Sequence, residues 1–161
     1  MKIVSAICLA AAIVLAGCAS SPEGLKPGAS AEDIRAQMGT PVATYVLPGG
    51  GKRMEFRGNG PRTYMLDVDA SGRLIQWVQV LNETNFRNIV PGMTREQVLM
   101  TLGRPSEVSV VGRQGVEVWS YHFQNIECQW FQVPFGSDGR TSGGGARTMI
   151  PACLNAGAGG P

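Results

Sequence analysis

The sequence predicts an α+β fold made of two tandem units, each a short helix (or two) packed on a three-stranded antiparallel sheet. A repeated phrase is the first reason. Pro27–Pro41 reads PGASAEDIRAQMGTP and Pro91–Pro105 reads PGMTREQVLMTLGRP, so that Pro27/Pro91, Gly28/Gly92, Glu32/Glu96, Gly39/Gly103 and Pro41/Pro105 coincide. Self-similarity of this kind marks a supersecondary unit used more than once. The second reason lies just beyond each copy: segments there alternate apolar and polar residues and are broken by Gly-rich turns, which is how antiparallel strands read. The third is a content of 22 Gly and 10 Pro, which keeps every element short.

The chain opens with a segment read as a leader. Lys2 supplies a positive charge, and Ile3–Leu15 is apolar except for Ser5, a run too short to span a bilayer. Leu15-Ala16-Gly17-Cys18 resembles the lipobox of bacterial lipoproteins. That resemblance implies a signal peptide over residues 1–17, cleavage before Cys18, and acylation of the Cys18 sulfur. Ala19 in place of Asp points, by the same resemblance, to the outer membrane. Several acyl chains, at about 0.8 kcal/mol per buried CH₂, make such an anchor stable. Residues 18–26 are then a lipidated tether that reaches less than roughly 30 Å, which keeps the body near the membrane surface.

The first unit is expected over residues 27–81. Ser30 suits a helix N-cap, with Asp33 completing a loose capping box. Ile34 and Met38 share a face, Gly39 suits a left-handed C′ position, and Pro41 forbids continuation. Strands are expected at 52–56, 63–69 and 73–81, separated by RGNGP and ASG turns. The second unit is expected over residues 82–153. A small helix at 83–89 enters it, and Thr94, Gln97, Val98, Leu102, Gly103 and Pro105 then repeat the helix signals. Strands are expected at 116–124 and 129–135, with a weaker third within 140–150. Trp119, Tyr121 and Phe123 share one face, as do Phe131, Val133 and Phe135. A helix of two to three turns is unstable alone and must dock on its sheet. A helix on one face of such a sheet buries that face and leaves the other in water. Residues 154–161, LNAGAGGP, have little to bury and read as a flexible tail.

Composition narrows the function. A formal net charge of +2 is too small for a nucleic-acid binder. Of four cysteines, Cys8 leaves with the leader and Cys18 is lipidated, so Cys128 and Cys153 remain as a pair in an oxidising compartment and are expected to form a disulfide. Neither a metal nor a cofactor is expected: two distant Cys and the one His122 have no ligand spacing, and no Cys-x-x-Cys occurs.

GMTREQVLMTLGRP, succeeded by VWSYHF and an SDGR turn, resembles the SmpA/OmlA (BamE-like) family of outer-membrane lipoproteins. The first copy resembles the same pattern, with Met54-Glu55-Phe56 standing where the second has Trp119-Ser120-Tyr121. The likeness extends over nearly the whole mature chain. It implies helices packed on a three-stranded antiparallel sheet and a non-catalytic, protein-binding role accessory to outer-membrane protein assembly or envelope integrity. The best-known member has one such unit, and this chain has two. Tandem copies of a similar fold also occur in secreted β-lactamase inhibitor proteins, which implies a second reading, an inhibitor or modulator of a periplasmic or cell-surface enzyme.

His122 lacks a motif supplying a nucleophile and an orienting group, so it reads as structural or surface and the chain as not an enzyme. Asp67-x-Asp69-x-Ser71-Gly72 imitates an EF-hand start, but Val78 stands where the bidentate Glu belongs, so a hairpin turn is expected. Gly49–Lys52 is not a phosphate loop, since Arg53 replaces Ser/Thr. Lys52, Arg53, Arg57 and Arg62 form a local basic cluster, the candidate contact for an acidic partner or lipid head groups. Trp77, Trp119 and Trp130 are expected mostly in the core. The expected partners are the outer membrane, through the anchor, and a protein: a β-barrel assembly protein or another envelope protein on the periplasmic face.

Overall fold

The computed structural model describes residues 21–113, 115–150 and 153. The leader, Cys18 and the tail at 154–161 lie outside the described residues. The elements run α1 (Ala31–Met38), β1 (Ala43–Val46), β2 (Lys52–Arg57), β3 (Thr63–Val68), β4 (Leu74–Gln79), α2 (Glu83–Arg87), α3 (Arg95–Leu102), β5 (Glu107–Val111), β6 (Val116–His122), β7 (Gln129–Phe135) and β8 (Ala146–Met149). They form two four-stranded antiparallel sheets, β1-β2-β3-β4 and β5-β6-β7-β8. The expected α+β architecture of two repeated units is present, with one correction: each sheet has four strands, not three. The added strands, β1 and β5, come after Pro41 and Pro105 and are short edge strands without a fully buried residue, which pair with β2 and β6. The third strand expected in the second unit is confined to Ala146–Met149, and all of it is exposed.

Both helices begin as their sequences dictate. Ser30 accepts from the Asp33 N–H and Thr94 from the Gln97 N–H, and both capping boxes close reciprocally. Both end at a glycine with positive φ, but ψ is −143° at Gly39 and −168° at Gly103, not the left-handed turn expected. That extended ψ sends the chain directly into Pro41 or Pro105 and the next strand. Asn82 caps α2. The repetition reaches the loops. Gly28 and Leu74 bond as Gly92 and Thr141 do, and the Arg73 and Arg140 guanidinium groups donate to the carbonyls of Gly28 and Gly92. Asp69 accepts from Ser71 and from the Arg73 N–H, so the would-be calcium loop is the β3–β4 hairpin turn.

Two cores hold these layers. Ile34, Phe56, Tyr64, Leu66, Val68 and Leu74 join α1 to one face of the first sheet. Phe86, Val98, Leu102, Trp119, Tyr121, Phe131, Val133 and Phe135 join α2 and α3 to the second, and Met65 of β3 belongs to this cluster as well. The expectation of one wet face per sheet fails in the first unit, where every residue of β3 is buried. The reason is that α3 lies between the sheets and covers the outer face of the first.

Candidate functional site

Where the units meet, the chain buries charge. Glu55, on the outer face of β2, is fully buried. Its carboxylate accepts from the Tyr45 hydroxyl at 2.9 Å and from the Arg104 N–H at 3.0 and 3.1 Å. The buried Tyr121 hydroxyl donates to the Gly103 carbonyl at 3.0 Å. Burial first, and then the Glu55 charge, push both phenols well above the ordinary tyrosine value, so both remain neutral. Beside them Arg53 grips Asp67 with bonds of 2.7 and 2.8 Å and donates at 2.8 Å to the Met100 carbonyl. Burial alone would raise the Asp67 pKa. Hydrogen bonds from Arg53 and Gln76, with the Arg53 charge, outweigh it and hold the carboxyl below its usual range. A sheet face that reads as wet in sequence is thus a charged socket for the end of α3.

The basic cluster is divided by strand geometry. Successive side chains of β2 point to opposite faces. Lys52 lies on the α1 side, beside Thr44 and Met54. Arg53 is spent on Asp67 and Met100. Arg57 donates to Thr63 Oγ1 at 3.1 Å and to the Arg104 carbonyl at 2.7 Å. Arg62, on the β2–β3 turn, donates to Gln124 Oε1 at 3.2 and 2.8 Å. The fold therefore brings Arg57 and Arg62 together and leaves Lys52 and Arg53 apart from them.

Arg57 and Arg62 form one wall of a cleft of about 510 Å³ between the units. His122, Gln129 and Trp130 form the other, with Leu81, Phe123 and Ile150 as its apolar parts. The His122 ring stacks on the Trp130 indole, centroids 4.3 Å apart. Asn125 shapes the loop between their strands: its Oδ1 accepts the N–H groups of Glu127 and Gln129, and its Nδ2 donates to the carbonyls of Phe123 and Gln129. The expected disulfide, Cys128–Cys153, is formed, with Cα atoms 6.4 Å apart. Next to it the Ile150 N–H donates to the Cys128 carbonyl, which holds Ile150 at the rim.

Three buried polar atoms of this cleft, His122 Nε2, Gln129 Oε1 and Trp130 Nε1, have no hydrogen-bond partner among the described residues. Ser106 Oγ accepts from the His122 backbone N–H, and among the described residues no hydrogen bond joins it to the imidazole. Among the described residues no group of three His, Cys, Asp or Glu side chains is placed to hold a metal. The cleft surface thus combines two arginines with apolar side chains, and the three unpaired atoms lie beneath it.

Sequence reasoning missed Glu55, Tyr45, Gln129 and Trp130. The run Thr63-Tyr64-Met65-Leu66 carried a signal for the first two, because a strand apolar on both faces implies two buried faces. Nothing in the sequence marked Gln129 or Trp130 as lining a cleft.

The fold and this site define a class: a two-unit α+β protein with a basic cleft between its units. Residues 79–142, which run from the end of β4 through β7, match the family described as "Outer membrane protein assembly factor BamE domain". The BamE-like resemblance therefore holds over that span. A search of curated sequences gives no significant match. Two solved structures are similar at 14% identity. One is an extracellular protein containing a SCP domain from Bacillus anthracis str. Ames, covering 80% of this chain and 45% of that one, with a TM-score of 0.31. The chain thus spans less than half of that protein. The other is a DUF4309 family protein (YjgB) from Bacillus subtilis subsp. subtilis str. 168, covering 74% of this chain and 76% of that one, with a TM-score of 0.28.

Proposed function

We propose that the protein is an outer-membrane lipoprotein, anchored through acylated Cys18 and facing the periplasm. It acts there as a non-catalytic binding module accessory to outer-membrane protein assembly. The observation that carries this reading is the BamE match over residues 79–142, which contains α3 and most of the cleft wall. The lipobox-like Leu15–Cys18 supplies the anchor, and the short tether keeps the binding surface close to the membrane. Of the basic cluster, Lys52 and Arg62 are the cations offered to a partner or to anionic head groups, while Arg53 and Arg57 bond across the joint between the units.

The test is a mild-detergent pull-down of the tagged protein from its native envelope, with mass spectrometry of the captured chains. Enrichment of β-barrel assembly proteins is the expected result. A soluble enzyme as the main partner, with loss of its activity in the complex, would replace this reading with the inhibitor or modulator one. The anchor is tested separately: Cys18→Ser is expected to move the protein from the membrane to the soluble fraction, and a variant that still sediments with membranes would refute lipid tethering.

A further inference from the structure

Each sheet ends in two edge strands, and the edges differ in how they are protected. An edge strand leaves alternate backbone N–H and C=O groups unpaired, and natural proteins blunt such edges with charge, Pro, bulges or covering segments. The start of β4 is covered: the Leu74 carbonyl accepts from the Gly28 N–H, and the Leu74 N–H donates to the Ala29 carbonyl. β8 carries a charge, Arg147, ion-paired with Glu83. β1 has four residues, and its Tyr45 turns inward to Glu55. β5 has none of these devices. It reads Glu-Val-Ser-Val-Val, pairs with β6 in unbroken register, and meets no strand on its outer side among the described residues. Val108, Val110 and Val111 are 55%, 69% and 47% exposed. Such β-branched side chains suit a pleated, half-buried surface, and here one side of that surface is missing. Glu107 and Arg113 flank the valines, exposed and without an ion pair among the described residues.

We propose that β5 pairs antiparallel with β5 of a second copy of this chain, across a two-fold axis at Ser109. In that register the strand is complementary to itself. Val108 faces Val110 of the second copy, and Val110 faces its Val108, so the exposed valines become cross-strand pairs. Glu107 lies diagonal to Arg113 of the second copy, within reach of a long side chain, and the two-fold axis makes this attraction twice. Like charges do not meet, because Glu107 stands directly opposite Val111. Any strand satisfies the backbone; a strand of this sequence also offers two valine pairs and two charge pairs in one register. The two second-unit sheets then join into a single sheet with β8 at each end. Two edges of five residues each bury less than a lasting interface does, so the dimer is weak and forms at high local concentration. This assignment concerns an edge of the fold and is independent of the assembly role.

The test is cysteine crosslinking of the full chain in its native envelope. Ser109→Cys is expected to give a covalent dimer with a short bismaleimide, since the two-fold axis sets the two thiols side by side. Thr148→Cys, on the exposed edge strand β8, is expected to give none. The charge pairs are tested in the Ser109→Cys background. Glu107→Arg and Arg113→Glu, each alone, put like charges on both diagonals and should lower the dimer yield several-fold. Co-expression of these two variants should restore it, because each Arg then meets a Glu of the other chain. Circular dichroism of both should match the parent, since both side chains are exposed. Val110→Lys, which adds a charge to the open edge, should abolish the dimer. Absence of the Ser109→Cys dimer overturns the proposal. So does a crosslink to a different protein in its place, or a mixture of the two charge variants that stays as low as either alone.

Discussion

The outer faces of the two sheets differ in what covers them. On the first, Arg53, Glu55, Arg57 and Asp67 meet the end of α3, and each charge has a bonded partner. On the second, the equivalent hairpin end presents His122 and Trp130 to a cleft, and buried polar atoms there are unpaired among the described residues. The units repeat their caps, turns and strand order, yet one face has become an internal joint and the other remains available. The difference teaches that in a duplicated fold the joint is specified by side chains on the covered face, since the two copies share their helix caps and strand order. It also makes the covered face the place where single substitutions cost most.

Glu55 is the sharpest way to break the joint. Glu55→Ala leaves the Tyr45 hydroxyl and the Arg104 N–H without their acceptor, in a position with no access to water. Leaving a buried donor without its acceptor costs about 1–3 kcal/mol, and this substitution leaves two. Chemical denaturation should show a loss of that size. Ser120→Ala, at the matching place on the second sheet, should lose much less, because its hydroxyl gives up only the Gln132 bond. Equal losses would mean that the two faces are energetically alike.

The helix-ending glycines sharpen the same contrast. Gly39 and Gly103 share a positive-φ, extended-ψ backbone that other residues adopt at a cost of about 1–3 kcal/mol. A Cβ on Gly39 would meet nothing within 4 Å, whereas on Gly103 it would stand 2.9 Å from the Glu55 carboxylate and 3.0 Å from the Thr63 methyl. Gly39→Ala is expected to lose only the backbone penalty and Gly103→Ala that penalty plus the collision. Thermal unfolding of the two variants side by side measures the difference.

Much of this was legible in sequence because it is local. Ser30, Thr94, Gly39 and Gly103 mark the helices through contacts within a few residues, and Tyr121 and Phe131 mark their core face through alternation. The Cys128–Cys153 pairing comes from counting. The edge strands β1 and β5 were missed because ATYV and EVSVV bury little and so lack a strong periodic signal. The joint was missed because its determinants are far apart in the chain: Asp67 looks like a solvent-facing residue until α3 is laid over it. The cleft was half legible. Arg57 and Arg62 stood out as part of a basic cluster, but alternation takes Lys52 to the other face and the Asp67 and Met100 bonds hold Arg53, which no local pattern shows.

The Arg53–Asp67 pair gives the joint a dependence on pH. The folded Asp67 pKa is lowered, so its contribution to stability is complete above the unfolded value near pH 4 and is lost as pH falls through the lower folded value. Asp67→Asn should cost about 1.5–3 kcal/mol near neutrality, the range for hydrogen bonds to a charged group. The variant should also show a shallower decline than the wild type below about pH 4. Urea midpoints measured across that range decide the matter, and parallel declines would remove Asp67 as a source of the acid sensitivity.

The smallest expected effects lie at the helix starts, and they differ in kind. Ser30→Ala and Thr94→Ala should each cost about 1 kcal/mol, the usual value of an N-cap side chain. The partner in each box is different: Asp33 for α1, Gln97 for α3. Hydrogen bonds from the Ser30 hydroxyl and backbone N–H hold the Asp33 carboxyl below its usual range, so protonation weakens the box that it completes. Gln97 does not titrate. Lowering the pH through the Asp33 value should therefore reduce hydrogen-exchange protection of the α1 amides more than that of the α3 amides. Because α1 sits on the outside of the molecule and α3 between its sheets, the loss at α1 should remain local. A matching loss of protection along α3 would show that acid acts through the joint and Asp67, and that the charge on the α1 cap has no separate effect.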